Sequence, residues 1–167
     1  MSLKKLGVVA AFVFFVFVIG SRNLPSRAKL NDPINWHLVT RVIDGDTIEI
    51  ETGDRVRYIG MNTPETVDPE RPIECFGKEA SAYNHKLVAG KKVRLVSDVT
   101  DKDKYGRLLR YVYLEDGTFV NLKLVEDGYA NVMTIPPNVA KAEEFRKAEQ
   151  SARDAALGLW MSCSRKW

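Results

Sequence analysis

Three short stretches of alternating apolar and polar residues, separated by glycine-containing turns, constrain this chain more than any other feature. His37 to Ile43 alternates weakly and then meets Asp44-Gly45-Asp46. Thr47 to Glu51 alternates clearly, with Ile48 and Ile50 on one face and Thr47, Glu49 and Glu51 on the other. After Thr52-Gly53-Asp54, Arg55 to Ile59 places Arg55 and Arg57 opposite Val56 and Tyr58. A side-chain period of two with Asp-Gly and Gly-Asp turns predicts an antiparallel strand meander.

The pattern then changes. Asn62 to Glu74 is rich in Pro, Glu and Asp and is expected to be a loop. Lys78 to Ala89 carries Ala80, Tyr83 and Leu87 at helical spacing and stops at Gly90. Val93 to Ser97, Leu108 to Tyr113 and Thr118 to Val120 are expected strands, the last two flanking the Glu115-Asp116-Gly117 turn. Asn121 is expected to cap a short helix to Glu126, closed by Gly128. A longer helix is expected from Val139 to Leu157, with Phe145, Ala148, Ala152, Ala155 and Leu159 as its inner stripe. Strands, helix, strands, then helices exclude a regular βαβ alternation and indicate an α+β domain with a small barrel covered by helices.

The chain ahead of this domain reads differently. Lys4 and Lys5 precede an apolar run from Leu6 to Ile19. Those 14 residues would span about 21 Å as a helix, short of a ~30 Å hydrocarbon core. Residues 1–20 are therefore expected to be a signal peptide or a membrane anchor, exporting the domain or holding it outside the cell membrane. Cleavage and anchoring both stay open, because Val18-Ile19-Gly20 is not a clean cleavage motif. Residues 21–35 contain Pro25 and Pro33 and read as a linker; the domain is expected over 36–167. Removing Lys4 and Lys5 from the 25 basic residues leaves 23 against 22 acidic ones. That near balance argues against a purely electrostatic nucleic-acid binder, so any anion must be held by a few placed cations.

Three clusters hold the chemistry. Asp44-Gly45-Asp46-Thr47 is the first turn of the meander; Arg57 leads along its strand toward Asn62-Thr63-Pro64-Glu65; Asp103-Lys104-Tyr105-Gly106-Arg107 precedes a later strand. Each alone reads as a turn or a solvated charge. Together they supply hard oxygen ligands, a carboxylate able to orient or deprotonate water, and two forked cations that can grip phosphate oxygens. Those are the parts of metal-assisted phosphoryl chemistry.

In order and spacing, these runs resemble the staphylococcal nuclease (thermonuclease) family, as do Phe76-Gly77-Lys78-Glu79-Ala80-Ser81 and Gly158-Leu159-Trp160. The resemblance covers about Val39 to Trp160. It implies a five-stranded oligonucleotide-binding (OB-fold) barrel with three helices, and a Ca²⁺-dependent phosphodiesterase acting on DNA and RNA, single-stranded by preference, that leaves 3′-phosphate ends. By resemblance, Arg57, Glu65 and Arg107 are the catalytic residues. Asp46, Asn62 and Thr63 match calcium ligands, Asp44 sits behind them, and Lys104 and Tyr105 contact a terminal phosphate of the bound nucleotide. The chain departs from the family in two places. Asn62 stands where an aspartate is usual, which removes one ligand charge and predicts weaker calcium binding. Asn131-Val132-Met133-Thr134-Ile135 stands where the best-known member has tyrosines near the base.

Cys75 precedes the first helix and Cys163 follows the last, and in an exported chain they are expected to pair. His37 and His85 show no ligand spacing and are not proposed as bases. A monomer is expected. The competing reading is a catalytically silent binding module on the same barrel; retention of Arg57, Glu65 and Arg107 speaks against it.

Overall fold

A computed structural model describes residues 35–66 and 72–163. The leader proposed for 1–20, and the linker apart from Asn35, lie outside the described residues. Among the described residues no helix is long and apolar enough to cross a membrane.

The alternating segments form β1 (Trp36–Val42), β2 (Thr47–Ile50) and β3 (Arg55–Tyr58). With β5 (Lys92–Val96) and β6 (Leu108–Leu114) they close a five-stranded barrel in the order β1-β2-β3-β6-β5, numbering strands along the chain. The remaining strands, β4 (Gly60–Asn62) and β7 (Asn131–Met133), pair antiparallel beside it. Closure removes the exposed sheet edges that a five-stranded meander would otherwise carry. The closing seam is β3 against β6, which run parallel with Arg57 opposite Leu109.

Among the described residues four helices accompany the barrel: α1 (Gly77–Val88), α2 (Val120–Glu126), α3 (Ala142–Asp154) and the single turn α4 (Leu159–Ser162). The core is continuous from the barrel interior, with Ile48, Val56, Val93 and Val112 fully buried, to Leu124 on α2 and Phe145 on α3.

Several local expectations are corrected by packing. Thr118 to Val120 is not a strand: Phe119 bridges Tyr113 singly, and Val120 already opens α2. Asn121 is not that helix's cap but lies inside it, buried. Its Oδ1 accepts from Val112 N–H at 2.9 Å, and its Nδ2 donates to the Ile59 and Arg110 carbonyls. The amide thus satisfies barrel backbone groups at the point where β3 and β6 run out of ladder partners. The long helix ends at Asp154, so Ala155 is exposed, and Leu159 is buried from α4 instead. Gly158 makes that break: its backbone meets Gly128 so closely that an added Cβ would lie 2.3 Å from the Gly128 carbonyl oxygen. Thr47, on the face opposite Ile48 and Ile50, is buried as well, and its hydroxyl donates to Asp46.

Candidate active site

The turn between β1 and β2 carries Asp44, Gly45 and Asp46. Asp44 Oδ1 accepts the Asp46 N–H at 2.9 Å, the usual way an aspartate closes such a turn. Gly45 has a steric reason: a Cβ there would lie 2.6 Å from Thr63 Oγ1. The turn therefore packs directly on the chain leaving β4, and Asp46 Oδ2 accepts the Thr63 N–H at 3.0 Å.

Arg57 enters from β3, beside Thr47 in the ladder. Its Nη1 forms an ion pair with Asp46 Oδ2, and Nη2 donates to Asn62 Oδ1 at 2.8 Å. Nη1 is otherwise a buried donor without an aligned acceptor. Burial lowers the guanidinium pKa to about 10, partly offset by Asp44, so Arg57 remains cationic at neutral pH. Burial also raises the Asp44 carboxyl above its ordinary range, with Arg57 pulling the other way.

Arg107 lies just before β6, two residues ahead of the Leu109 that faces Arg57 in the parallel β3–β6 pairing, and it lines the same cavity as Arg57. Asp103 fixes it: Oδ2 accepts from Arg107 Nε at 2.7 Å, and Oδ1 accepts the N–H groups of Tyr105 and Arg107. Burial pushes the Asp103 carboxyl up, but these hydrogen bonds outweigh it and hold the group below the ordinary carboxylate range.

Asp44, Asp46, Asn62, Glu65, Arg57 and Arg107 line one polar cavity of about 230 Å³. A larger, more apolar cavity of about 580 Å³ adjoins it, sharing Arg57, Asn62 and Arg107 and continuing past Lys104, Tyr105, Met133 and Ile135. Tyr105 is 72% exposed, with Lys104 Nζ at 4.9 Å and Arg107 Cζ at 5.5 Å from its ring centre.

A family model described as "Staphylococcal nuclease homologue" matches residues 55–162. The chain belongs to this family. Relatives include a thermonuclease of Staphylococcus intermedius, 44% identical over 74% of this chain and 75% of the relative. A thermonuclease of Staphylococcus hyicus is 37% identical over 92% and 93% of the two chains. Endonuclease YncB of Bacillus subtilis is 42% identical over 72% of this chain and 59% of the relative.

The family resemblance named Arg57, Glu65, Arg107, Asp46, Asn62, Thr63 and Asp44, and all seven line the polar cavity. Lys104 and Tyr105 line the larger one. The oxygens around the polar cavity are carboxylate, amide and carbonyl, a donor set that suits a hard divalent cation and not a soft one. Among the described residues no three His, Cys, Asp or Glu side chains form a ready metal cluster. A cation here would thus depend on Asp46 together with the amide and carbonyl oxygens of Asn62 and Thr63, and on water.

Sequence reasoning missed Glu74, which lines the same cavity, and Asn84, which supports Asp44 from α1. Glu74 was read only as the end of a polar loop. Asn84 had one visible signal, a polar residue one position past Tyr83 on a helix whose inner face it shares with Ala80 and Val88.

Proposed function

We propose that the protein is a calcium-dependent nuclease that hydrolyses phosphodiester bonds of DNA and RNA and leaves 3′-phosphate ends. The observation that carries this reading is the shared polar cavity, in which two arginines and Glu65 surround the Asp46 carboxylate. Ca²⁺, held by Asp46, Asn62 and the Thr63 carbonyl, would supply positive charge to the phosphate as it becomes more anionic.

The chain's own residues do the rest. Arg57 is oriented by Asp46 and Asn62 before substrate arrives, so its cation costs little reorganisation when a phosphate oxygen docks. Arg107 is oriented by Asp103 and faces the phosphate from the loop ahead of β6, stabilising the five-coordinate state and the departing oxygen. Glu65 orients the attacking water and accepts its proton. Lys104 and Tyr105, in the adjoining cavity, hold a further phosphate of the strand. Met133 and Ile135 line the wall where a base would lie, so base contact there is apolar rather than a ring stack. Unpaired strands suit this arrangement, because a base must leave its partner to reach that wall. The basic and apolar leader supports export, free or anchored through residues 6–19.

The test is cleavage of a single-stranded oligonucleotide by the purified domain in millimolar Ca²⁺ and in chelator. Cleavage with Ca²⁺ that gives 3′-phosphate ends, and none in chelator, supports the reading. Binding without cleavage in Ca²⁺ would show a silent module instead.

A further inference from the structure

Glu65 sits on a segment whose far end returns to it. The Glu65 N–H donates to Glu74 Oε2 at 2.9 Å, and the Glu74 N–H donates to the Glu65 carbonyl at 3.0 Å. The two glutamates thus hold each other at two points, nine residues apart in sequence. Glu74 is itself fixed from its other side. Cys75 forms a disulfide with Cys163, with Cα atoms 6.0 Å apart, and Cys163 closes α4. That helix is seated by the Leu159 N–H donating to the Gly128 carbonyl at 2.8 Å.

The next residues are equally constrained. Phe76 is in the left-handed region at φ 69°, uncommon for an aromatic residue, and its ring lies 5.3 Å from that of Tyr129. A Cβ on Gly77 would lie 3.0 Å from the Glu65 carbonyl oxygen, so α1 begins against the same peptide. Cys75 is exposed while Cys163 is buried, so the bond is within reach of a solvent thiol.

We infer that Glu74 is the positioning residue for Glu65, and that the Cys75–Cys163 disulfide holds Glu74 in that role. This rests on the reading of Glu65 as the group that handles water. A dithiol reductant delivers two electrons and two protons, leaving Cys75 and Cys163 as thiols and becoming a cyclic disulfide. The Glu74 segment then loses its tie to α4, and Glu65 loses its fixed backbone. Misplacement of a reacting group by about 1 Å can cost ~10²-fold in rate. Full activity therefore belongs to the oxidised protein.

The experiment compares kcat, KM and the Ca²⁺ midpoint of the whole chain on a single-stranded oligonucleotide. Samples are oxidised protein, dithiol-reduced protein, C75S/C163S, E74A, E74Q and E65Q, each assayed well below its own thermal midpoint. Reduction, C75S/C163S and E74A should each lower kcat about 10- to 100-fold, with KM and the Ca²⁺ midpoint unchanged. E74A should lose nothing further on reduction. E74Q should recover most of the E74A loss, since an amide oxygen still accepts the Glu65 N–H. An unchanged kcat in E74A or on reduction overturns the inference. So does an E74Q as slow as E74A, or one with a displaced Ca²⁺ midpoint, because either result makes Glu74 a charge in the cavity. E65Q separates the two claims: full activity there sinks the role of Glu65, while its loss beside an unaffected E74A sinks only the positioning.

Discussion

The Asn84 amide on α1 donates to the Asp44 carbonyl at 2.9 Å, while its Oδ1 accepts the Tyr58 hydroxyl at 3.0 Å. Asn84 and Tyr58 are both fully buried or nearly so. One side chain therefore ties a helix, a barrel strand and the turn that carries Asp46. Truncating it leaves a buried hydroxyl and a buried carbonyl without partners, at roughly 1–3 kcal/mol for each such group. N84A should lower stability by about 2–6 kcal/mol in thermal or urea unfolding. It should also weaken Ca²⁺ binding, read as a higher midpoint for activity. Y58F removes the donor but leaves only Asn84 Oδ1 short of one partner, and should cost about 1 kcal/mol.

Gly45 gives a sharper functional prediction. G45A would force its methyl group into the Thr63 side chain, which cannot move without disturbing the peptide that donates to Asp46. Overpacking of this kind costs about 1–3 kcal/mol. The Ca²⁺ midpoint of activity should rise with the stability loss, measured by titrating Ca²⁺ into a fixed-time cleavage assay.

Asn62 supports a change in the opposite direction. It lines the cavity, accepts from Arg57 Nη2 and donates from Nδ2 to the Thr63 carbonyl, so N62D gives up that donor and adds a further carboxylate to those of Asp44, Asp46, Glu65 and Glu74 without new steric demands. Ligand charge tunes calcium affinity. N62D should lower the Ca²⁺ midpoint; an unchanged midpoint would show that residue 62 is not a ligand.

Asp103 predicts a pH dependence. Its folded carboxyl lies below the ordinary value of 3.8 because Arg107 and two backbone N–H groups favour the anion. The stability it lends is fully present above about pH 4 and is lost as pH falls through the folded pKa, because protonation then weakens all three bonds. The thermal midpoint of the wild type should fall more steeply between pH 4 and pH 2 than that of D103N. Parallel curves would contradict the role given to these bonds.

Much of this architecture was legible in the sequence, for a physical reason. Strands with one buried face must alternate, and β2 and β3 do so around Ile48, Ile50, Val56 and Tyr58. The candidate-site clusters are runs of neighbouring residues ahead of β2, on β3, after β4 and ahead of β6, where short-range motifs are read directly. What stayed hidden depends on contacts distant in sequence. Three-residue strands such as β4 and β7 carry too few positions for a period to show, and exist because each is the other's partner. Nothing local announces that β3 pairs parallel with β6, so the meeting of Arg57 and Arg107 followed from family resemblance rather than pattern. Asn121 looked like a cap because Asn favours caps; barrel closure uses its amide instead. Glu74 escaped because its partner, Glu65, is held through backbone groups that no spacing rule reveals.

The most direct test of the central claim is the single-turnover cleavage rate of E65Q and R107A against wild type, at saturating Ca²⁺ and with thermal midpoints measured on the same samples. Removing a general base or a charge stabiliser typically costs about 10²–10⁴-fold. Each variant should lose at least two orders of magnitude while unfolding cooperatively like the parent. Rates within tenfold of wild type in either folded variant would contradict the account.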